Sequence, residues 1–397
     1  MKRTLRELPA ADLAGRRALV RVDFNVPLED GSVADGTRIE ASVPTLRWLL
    51  DAGARPVLLS HLGRPQGERR PEYSLAPIAL PLAELLGAPV RFFERCEGDD
   101  AVSATHGLGA GEVLLLENTR FLAGETSNDP ELARRFAELG DLYVLDAFGT
   151  AHRKHASTAG VAERMRPAVA GLLVEGELEA LGRLKDAPDR PFVVAFGGAK
   201  ISDKIDLLRA FVSRADQVLV GGAMANTFLR ARGLETGVSL VEEEALDLAV
   251  EILSTAGDLV RLPTDVVVTT DPGDPAAPVR EVPADEIPAD AAAMDIGSAT
   301  RSTYAATVAG ARSFFWNGPM GLFEDPRFAE GTFAVAHAAA AATSVGTFTV
   351  IGGGDSARAV RAAGLMDAVS HVSTGGGAAL EFLSGGELPG LAALEDA

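Results

Sequence analysis

Charged and polar side chains follow several apolar runs in the first half of the chain, at the points where those runs end. They are Asp23, Asn25, Arg38, His61, Arg64, Arg120 and Arg153, of which Arg38 opens a helical stretch. Guanidinium groups match the geometry of carboxylate and phosphate oxygens, while Asp and Asn can hold hydroxyl groups. Each of these residues taken singly is more often structural. Together, at successive strand ends, they predict a site for a small, multiply charged anion.

Glycine-rich turns follow the apolar runs of the second half. They are Gly197-Gly198-Ala199-Lys200, Gly221-Gly222-Ala223-Met224, Gly318-Pro319-Met320-Gly321, Gly352-Gly353-Gly354-Asp355-Ser356 and Gly375-Gly376-Gly377-Ala378. Glycine lets the backbone approach a ligand, and a helix that starts directly afterwards directs free N–H groups at phosphate. Lys200 and Lys204 are stronger candidates for this phosphate site because they are two of only five lysines in the chain and follow such a turn. The turns predict a nucleotide phosphate site, with Asp355 as a candidate ligand, direct or through water, of a Mg²⁺ ion carried by the phosphates.

The motifs of several other sites are missing. The sequence has no G-x-x-x-x-G-K-[ST] loop, no G-x-G-x-x-G after a strand and no His-x-x-x-His spacing on a helix. His152 and His155 are interpreted as a loop pair rather than a metal site. The single cysteine, Cys96, excludes an intramolecular disulfide and any multi-cysteine metal site.

The candidate residues follow short apolar segments that alternate with helical patterns. We predict strands that begin near residues 17, 55, 112, 141 and 191, and further strands over 217–220, 265–269, 313–316, 347–351 and 371–373. Helices are predicted over 38–52 and 175–186, whereas the Pro- and Asp-rich residues 271–293 are interpreted as a loop or irregular connection. Continuously apolar strands separated by helices indicate parallel sheets covered on both faces, which bind ligands beyond the carboxyl ends of their strands.

Composition restricts the function further. The chain has 397 residues, of which 47% are hydrophobic, so it has enough apolar surface to bury and is not disordered as a whole. Its formal charge of −19 and its pI near 4.8 argue against general binding of nucleic-acid backbones. No apolar run reaches membrane-spanning or signal-peptide length, which predicts no membrane partner and a cytoplasmic location. The residues after Ala170 hold 32 of the 56 acidic side chains but 16 of the 37 basic ones. This excess indicates either a solvated acidic surface on the second half or a first half that keeps its arginines for an anionic ligand. Together with the low lysine count, it also motivates the hypothesis that the protein tolerates salt.

Seven motifs of this chain, in order, are similar to those of one family. They are Arg21-Val22-Asp23-Phe24-Asn25-Val26-Pro27, Ser60-His61-Leu62-Gly63-Arg64-Pro65, Glu117-Asn118-Thr119-Arg120-Phe121, Asp146-Ala147-Phe148-Gly149-Thr150-Ala151-His152-Arg153, Gly197-Gly198-Ala199-Lys200-Ile201-Ser202-Asp203-Lys204, Trp316-Asn317-Gly318-Pro319-Met320-Gly321 and Ser373-Thr374-Gly375-Gly376-Gly377. The chain resembles phosphoglycerate kinases over essentially its whole length.

This resemblance implies an α/β protein with two doubly wound parallel-sheet (Rossmann-like) domains, each a three-layer αβα sandwich. Residues 1–170 would bind 3-phosphoglycerate or 1,3-bisphosphoglycerate, and residues 188–372 would bind ADP or ATP with Mg²⁺. Residues 171–187 would form a hinge helix whose bending closes the cleft between the domains, and residues 373–397 would return to the first domain. The family precedent is a monomer.

The resemblance also implies roles for individual residues. Phosphoglycerate would be held by Asp23, Asn25, Arg38, His61, Leu62, Gly63, Arg64, Arg120 and Arg153. The nucleotide would be held by Lys204, Gly221, Gly222, Leu262, Gly297, Glu324, Gly353, Gly354, Asp355 and Ser356, with Glu324 on the ribose. Arg38 and Lys200 would be catalytic, because they would stabilise the phosphoryl group during transfer.

Two other classes of function can be compared with this one. A catalytically silent scaffold that kept the fold is disfavoured, because degenerated relatives lose their charged strand-end residues first and every one is present here. A dehydrogenase-like α/β enzyme is disfavoured by the missing dinucleotide fingerprint and the lack of an acidic ribose-binding residue after it.

Overall fold

The chain is divided into two compact units. The computed structural model describes residues 2–397, with residue 203 described by its backbone only. The first unit comprises the residues up to Glu179 together with Glu387–Ala397, and the second comprises Ala180–Gly386. Helix residues Leu172–Asp186 cross the boundary between them. The first unit thus takes its residues from both ends of the chain.

A six-stranded parallel sheet forms the centre of the first unit, with the strand order β5-β6-β4-β1-β7-β8. Its strands are β1 (Arg17–Val22), β4 (Arg55–Leu59), β5 (Val90–Phe93), β6 (Val113–Leu116), β7 (Leu142–Asp146) and β8 (Ala168–Ala170), and β2 (Leu28–Glu29) and β3 (Ser32–Val33) form a small hairpin. The helices are α1 (Ala10–Leu13), α2 (Thr37–Asp51), α3 (Ala79–Leu86), α4 (Asp99–His106), α5 (Pro130–Ala137) and the start of α6 (Leu172–Asp186).

The apolar runs of the sequence form the middle of this sheet. Every residue of β6 and β7 is buried, as is all of β1 after Arg17. The side chains of Val20, Leu46 and Ile78 belong to one core, in which the sheet packs against α2 and the segment before α3. Burial on both faces explains why β6 is apolar throughout and why β7 is apolar up to Asp146, its last residue. In β1 the buried Arg21 interrupts the apolar run.

The C-terminal segment is joined to the N-terminal residues. Arg3 donates its backbone N–H to the carbonyl oxygen of Glu395 over 2.8 Å, and its guanidinium pairs with the Glu395 carboxylate, also at 2.8 Å. Lys2 pairs with Asp396 at 2.8 Å. Residues 387–397 therefore complete the first unit, whereas residues 373–386 of the predicted returning segment belong to the second unit.

The second unit is built around another six-stranded parallel sheet, with the strand order β11-β10-β9-β15-β16-β17. Its strands are β9 (Phe192–Phe196), β10 (Gln217–Val220), β11 (Val260–Arg261), β15 (Ser313–Asn317), β16 (Phe348–Gly352) and β17 (His371–Val372). The helices that follow α6 are α7 (Ile205–Val212), α8 (Gly222–Ala231), α9 (Leu246–Ala256), α10 (Ser298–Ala309), α11 (Glu330–Ser344), α12 (Gly354–Ala362) and α13 (Gly377–Ser384), and α14 (Pro389–Ala392) lies in the first unit.

Residues 265–296 form a separate antiparallel sheet that the sequence analysis only partly predicted. The sheet has the order β13-β12-β14, with β12 (Asp265–Thr269), β13 (Val279–Pro283) and β14 (Ala292–Ile296). The interpretation of residues 271–293 as a loop or irregular connection was therefore wrong for β13 and for the start of β14. The run Val279–Pro283 is mostly exposed, so it carries no apolar signal. Its backbone pairing with β12 makes it a strand.

The two parallel sheets confirm the predicted α/β fold class. Aromatic side chains pack on one face of the second sheet, where the rings of Phe211 and Phe315 are stacked at 5.3 Å. Trp316 and Ile351 belong to the core on the other face, together with residues of α10, α11 and α12. Helices thus cover both faces of this sheet, as in a doubly wound domain.

Candidate active site

The anion-binding candidates of the first unit lie beyond four neighbouring strands. Asp23 and Asn25 follow β1, His61 follows β4, Arg120 follows β6 and Arg153 follows β7. Strands β6, β4, β1 and β7 are consecutive in the sheet, so their carboxyl ends lie side by side along one edge. The fold therefore brings together residues that lie up to 130 positions apart in the sequence.

Arg38, in the first turn of α2, reaches the loop after β1. Its Nη1 donates to the Asp23 carboxylate over 3.2 Å and to the backbone carbonyl of Asn25 over 3.0 Å. The Asn25 side-chain oxygen accepts the backbone N–H of Gly63 at 2.8 Å, which ties the loop after β1 to the loop after β4. These contacts hold Arg38 at the strand ends, while about 40% of its side chain stays exposed to solvent.

His61 is buried in a neutral form. The Nη2 atom of Arg21 lies 3.1 Å from His61 Nδ1, and a guanidinium can only donate, so Nδ1 accepts and the ring proton sits on Nε2. Burial, followed by the positive charges of Arg21 and other arginines, holds the pKa of His61 well below its ordinary value of 6.5. At neutral pH His61 is therefore a single N–H donor in positively charged surroundings.

Positive charge accumulates around a cavity at these strand ends. The cavity measures about 510 Å³ and is lined by Arg64, Gln66, Gly67, Arg120, Leu122, Ala123, Thr126, Arg153 and His155. Burial and the charge of Arg153 lower the pKa of Arg120 to about 10, and burial and the charge of Arg64 lower the pKa of Arg153. Mutual repulsion of this kind is relieved when an anion binds among the arginines. The cavity suits a compact ligand with several negative charges.

A buried layer behind the cavity was missed by the sequence analysis. The fully buried carboxylate of Glu125 accepts hydrogen bonds from the Ser157 backbone N–H at 2.9 Å, from the Ser157 hydroxyl and from Thr119 Oγ1 at 3.2 Å. Arg21 Nε donates to Ser157 Oγ over 2.8 Å. These bonds join the loops that carry Arg120 and Arg153 to His61. The one feature of the sequence that points to this buried layer is Arg21, a charged residue inside the apolar run of β1.

In the second unit the first and third glycine-rich turns are in direct contact. The backbone N–H of Gly197 donates to the Asn317 carbonyl at 3.0 Å, and a Cβ at position 197 would lie 2.0 Å from the carbonyl oxygen of Pro319. Gly318 has a φ of 95°, a left-handed value that favours glycine, and its N–H donates to Ser356 Oγ at 2.6 Å. Three strand ends are thus packed together.

Lys204 and the 353–356 turn lie at this junction. Lys204 Nζ donates to the carbonyl oxygen of Gly197 at 2.6 Å. Gly353 has a φ of 89° and immediately precedes α12, whose first backbone N–H groups have no partner within the helix. A lysine and a helix N-terminus can together bind phosphate oxygens. Lys200 is exposed, next to the buried Ile201.

The carboxylates of Asp355 and Glu324 both pair with the guanidinium of Arg358. Arg358 Nη2 lies 2.8 Å from Glu324 Oε1 and 2.8 Å from Asp355 Oδ1, and its guanidinium lies over the Phe323 ring. Within the part of the chain that the structure describes, no group of three His, Cys, Asp or Glu could hold a metal. A Mg²⁺ ion that arrives on nucleotide phosphates needs only one or two carboxylates from the protein, so Asp355 fits this chemistry.

The remaining nucleotide-binding candidates lie at the edge of the second sheet and beside the antiparallel sheet. Gly222 approaches the first turn closely, since its N–H donates to Met320 O at 2.7 Å and a Cβ on it would lie 2.6 Å from Gly198 N. Leu262 is buried directly after β11. Gly297 lies elsewhere, against the first residue of β12, where its N–H donates to Asp265 O at 2.9 Å.

Comparisons with known proteins identify the family. The sequence model described as phosphoglycerate kinase matches residues 8–386. The chain is similar to the phosphoglycerate kinase of Chlorobium luteolum, with 51% identity over 397 residues that cover 99% of each chain. It is also 52% identical, over the whole of both chains, to that of Desulforudis audaxviator. The chain belongs to the phosphoglycerate kinase family.

Solved structures of the phosphoglycerate kinase family share this fold. The structure of the enzyme from Coxiella burnetii has a TM-score of 0.88 and 39% identity, and the similarity covers 99% of this chain and 98% of that one. The enzyme from Pyrococcus horikoshii has a TM-score of 0.86, 34% identity and 98% coverage of both chains. The resemblance noted in the sequence is confirmed, and the chain is a kinase of this glycolytic family. Over residues 2–397, no helix is long and apolar enough to cross a lipid bilayer.

Proposed function

We propose that this chain catalyses the reversible, Mg²⁺-dependent transfer of a phosphoryl group from 1,3-bisphosphoglycerate to ADP, giving 3-phosphoglycerate and ATP. One observation carries the proposal beyond family membership. A buried, neutral histidine lies among four arginines, Arg21, Arg120, Arg153 and Arg38, whose charges all disfavour its protonation. Such a cluster needs a ligand of high negative charge, and phosphoglycerate supplies both a carboxylate and a phosphate.

The residues of the first unit would divide the work of binding. Arg64, Arg120 and Arg153 line the cavity and would bind phosphate oxygens. Asp23, Asn25 and the His61 Nε2–H would hold the hydroxyl and carboxyl groups, with Leu62 and Gly63 shaping the loop. Arg38 would stay near the reacting acyl phosphate, because its contacts with Asp23 and Asn25 place it beside the strand ends.

The residues of the second unit would bind the nucleotide. Lys204 and the helix N-terminus at Gly353, Gly354, Asp355 and Ser356 would hold the phosphates, and Glu324 would accept hydrogen bonds from the ribose. Gly221, Gly222 and Leu262 would surround the adenine, and Gly297 would lie near the nucleotide. Mg²⁺ supplies positive charge to the phosphate oxygens when it is bound with the nucleotide, and Asp355 would be its ligand from the protein.

The reaction needs no general base. An oxygen of the ADP β-phosphate, already ionised at neutral pH, forms the new bond to phosphorus while the bond to the acyl oxygen breaks and the carboxylate leaves with the electron pair. The transition state therefore demands positive charge and in-line positioning. Arg38 from the first unit and Lys200 from the second would supply that charge as the catalytic residues.

The direct test is the initial rate with 3-phosphoglycerate and Mg-ATP, coupled to NADH oxidation, with each substrate and Mg²⁺ omitted in turn. We expect activity only when all three are present. A purified, folded enzyme without activity at both low and high KCl would contradict the proposal and favour a silent scaffold. The monomeric state and the cytoplasmic location stay predictions, of which gel filtration tests the first.

Arg38→Ala tests the catalytic role within this reaction. We expect kcat to fall by about 10²-fold or more, because a cation that stabilises the transition state is lost. The Kd for Mg-ADP, measured by calorimetry, should change less than about twofold. Arg47→Ala is the matched control, since Arg47 lies on the same helix and, among the described residues, donates to the Leu85 carbonyl alone. Unchanged turnover in Arg38→Ala would exclude the proposed role.

A further inference from the structure

A glutamate remote in sequence from the lysines of the nucleotide unit is hydrogen-bonded to the loop that carries them. The Glu242 carboxylate accepts the backbone N–H of Ile201 at 2.8 Å, the backbone N–H of Ser202 at 3.2 Å and the Ser202 hydroxyl. Residues 201 and 202 lie between Lys200 and Lys204. The carboxylate therefore contacts the stretch of chain that separates the two lysines.

Glu242 acts there as an anion. Partial burial opposes its ionisation, but the hydrogen bonds from Ser202 and Ile201 and the charge of Lys200 outweigh burial and hold the pKa of Glu242 below its ordinary value of 4.5. The negative charge is thus stabilised by the groups that it binds. Hydrogen bonds of this charge-assisted kind are roughly twice as strong as neutral ones.

The backbone of Glu242 is hydrogen-bonded to α8. The Glu242 backbone N–H donates at 3.0 Å to the hydroxyl of Thr227, a fully buried residue of that helix. At its N-terminus the same helix contacts the first glycine-rich turn, where the Met224 N–H donates to Gly198 O at 2.9 Å. One helix therefore supports both the turn before Lys200 and the carboxylate that binds the residues after it.

We propose that Glu242 is a positioning residue that fixes residues 200–204 and so places Lys200 for phosphoryl transfer. The inference rests on the role of Lys200 proposed above. Glu242 does not touch the reacting atoms in this scheme, and it acts only through the loop. Transfer reactions depend steeply on geometry, since a displacement of about 1 Å can cost about 10²-fold in rate. Loss of the carboxylate should therefore reduce turnover without a large loss of stability.

A double-mutant cycle tests whether Glu242 acts through Lys200. We expect Glu242→Ala to lower kcat by roughly 10- to 100-fold in the wild-type background. In a Lys200→Ala background the same substitution should lower kcat by less than about threefold, because the group that it positions is absent. Glu242→Gln should give a smaller loss, as it keeps one acceptor oxygen. Glu244→Ala, an exposed neighbour, is the matched control and should leave kcat unchanged.

Digestion of the folded protein with a lysine-specific protease gives a readout that does not depend on activity. The chain has only five lysines, so cleavage after Lys200 and Lys204 can be followed separately from cleavage after Lys154 and Lys185. We expect Glu242→Ala to accelerate cleavage after Lys200 and Lys204 at least tenfold, with no change after Lys185.

The two experiments separate the two proposals. Unchanged cleavage after Lys200 and Lys204, or losses of kcat that simply multiply in the double mutant, would overturn the positioning role. An inactive wild-type enzyme would instead overturn the proposed function, and it would remove Lys200 as the target of Glu242. Faster cleavage together with a strongly non-additive cycle would support both proposals.

Discussion

Asp146 at the end of β7 should make the stability of the first unit depend on pH. Its Oδ1 accepts the backbone N–H of Leu173 at 3.0 Å, in the first turn of α6. Its Oδ2 is buried with no hydrogen-bond partner among the described residues. Burial raises the pKa of Asp146 from 3.8 to about 7, despite hydrogen bonds from Thr45 and the start of α6.

The sign and size of the effect follow from the two pKa values. Between about pH 4 and pH 7 the folded state binds more protons at Asp146 than the unfolded state, so stability falls as pH rises through this range. At about 1.36 kcal/mol per pKa unit, the raised pKa of Asp146 lowers the free energy of unfolding, relative to a carboxyl with an unshifted pKa, by about 1.6 kcal/mol at pH 5 and by about 4 kcal/mol at pH 8. Asp146→Asn cannot ionise and escapes this cost.

Urea unfolding at pH 5 and pH 8 measures the difference. The chain has two tryptophans, Trp48 in α2 of the first unit and Trp316 in the second. A Trp316→Phe background therefore makes fluorescence report on the first unit. Relative to this background, Asp146→Asn should gain about 2.5 kcal/mol between pH 5 and pH 8. The quantity compared is the change in unfolding free energy between the two pH values, taken between the variant and its background. Other titrating groups contribute equally to both proteins, and the cost of the unpaired amide N–H₂ that Asp146→Asn introduces is the same at both pH values, so both contributions cancel.

An equal free-energy difference between the two proteins at both pH values would refute the reasoning, because it would mean that Asp146 titrates alike in the folded and unfolded states. Asp51→Asn, an exposed substitution at the end of α2, is the control and should change the free energy by less than about 0.5 kcal/mol.

Two further predictions concern the nucleotide site. Gly197→Ala places a Cβ 2.0 Å from the carbonyl oxygen of Pro319, so the glycine-rich turns must separate, and calorimetry should show at least a tenfold loss of Mg-ADP affinity. Arg358→Ala releases Asp355 and Glu324 from their shared ion pair, which lowers competition for the metal. Because exposed pairs contribute about 0–1 kcal/mol, the Mg²⁺ concentration for half-maximal ADP binding should fall by up to about fivefold.

Each of these predictions has a matched control. Gly182→Ala adds a Cβ that meets no atom within 4 Å, and it should preserve Mg-ADP affinity. Arg361→Ala removes an arginine one turn further along α12, and it should leave the Mg²⁺ dependence unchanged. Normal affinity in Gly197→Ala would contradict the close approach of the turns. A higher Mg²⁺ requirement in Arg358→Ala would mean that Arg358 assists nucleotide binding and does not compete with the metal.

Local sequence patterns determined the α/β class and the positions of the candidate residues at strand ends. An apolar run bounded by polar and glycine-rich turns carries its own signal, because a strand buried on both faces must be apolar throughout. The predicted helix over 38–52 forms at Thr37–Asp51. The runs of β1, β4, β6 and β7 are likewise strands, and Asp23, His61, Arg120 and Arg153 follow them. The roles of these residues stay predictions.

The tertiary structure alone decided which residues support the site. Arg21 contacts His61 across 40 positions, and Glu125 binds Ser157 across 32. Glu242 binds the 201–202 segment across 41 and 40 positions. Strand β13 is mostly exposed and lies in a Pro- and Asp-rich stretch of the sequence. Only its backbone pairing with β12 therefore identifies it as a strand. Periodicity describes the residues within one element, whereas these contacts depend on how distant elements pack, and packing has no local pattern in the sequence.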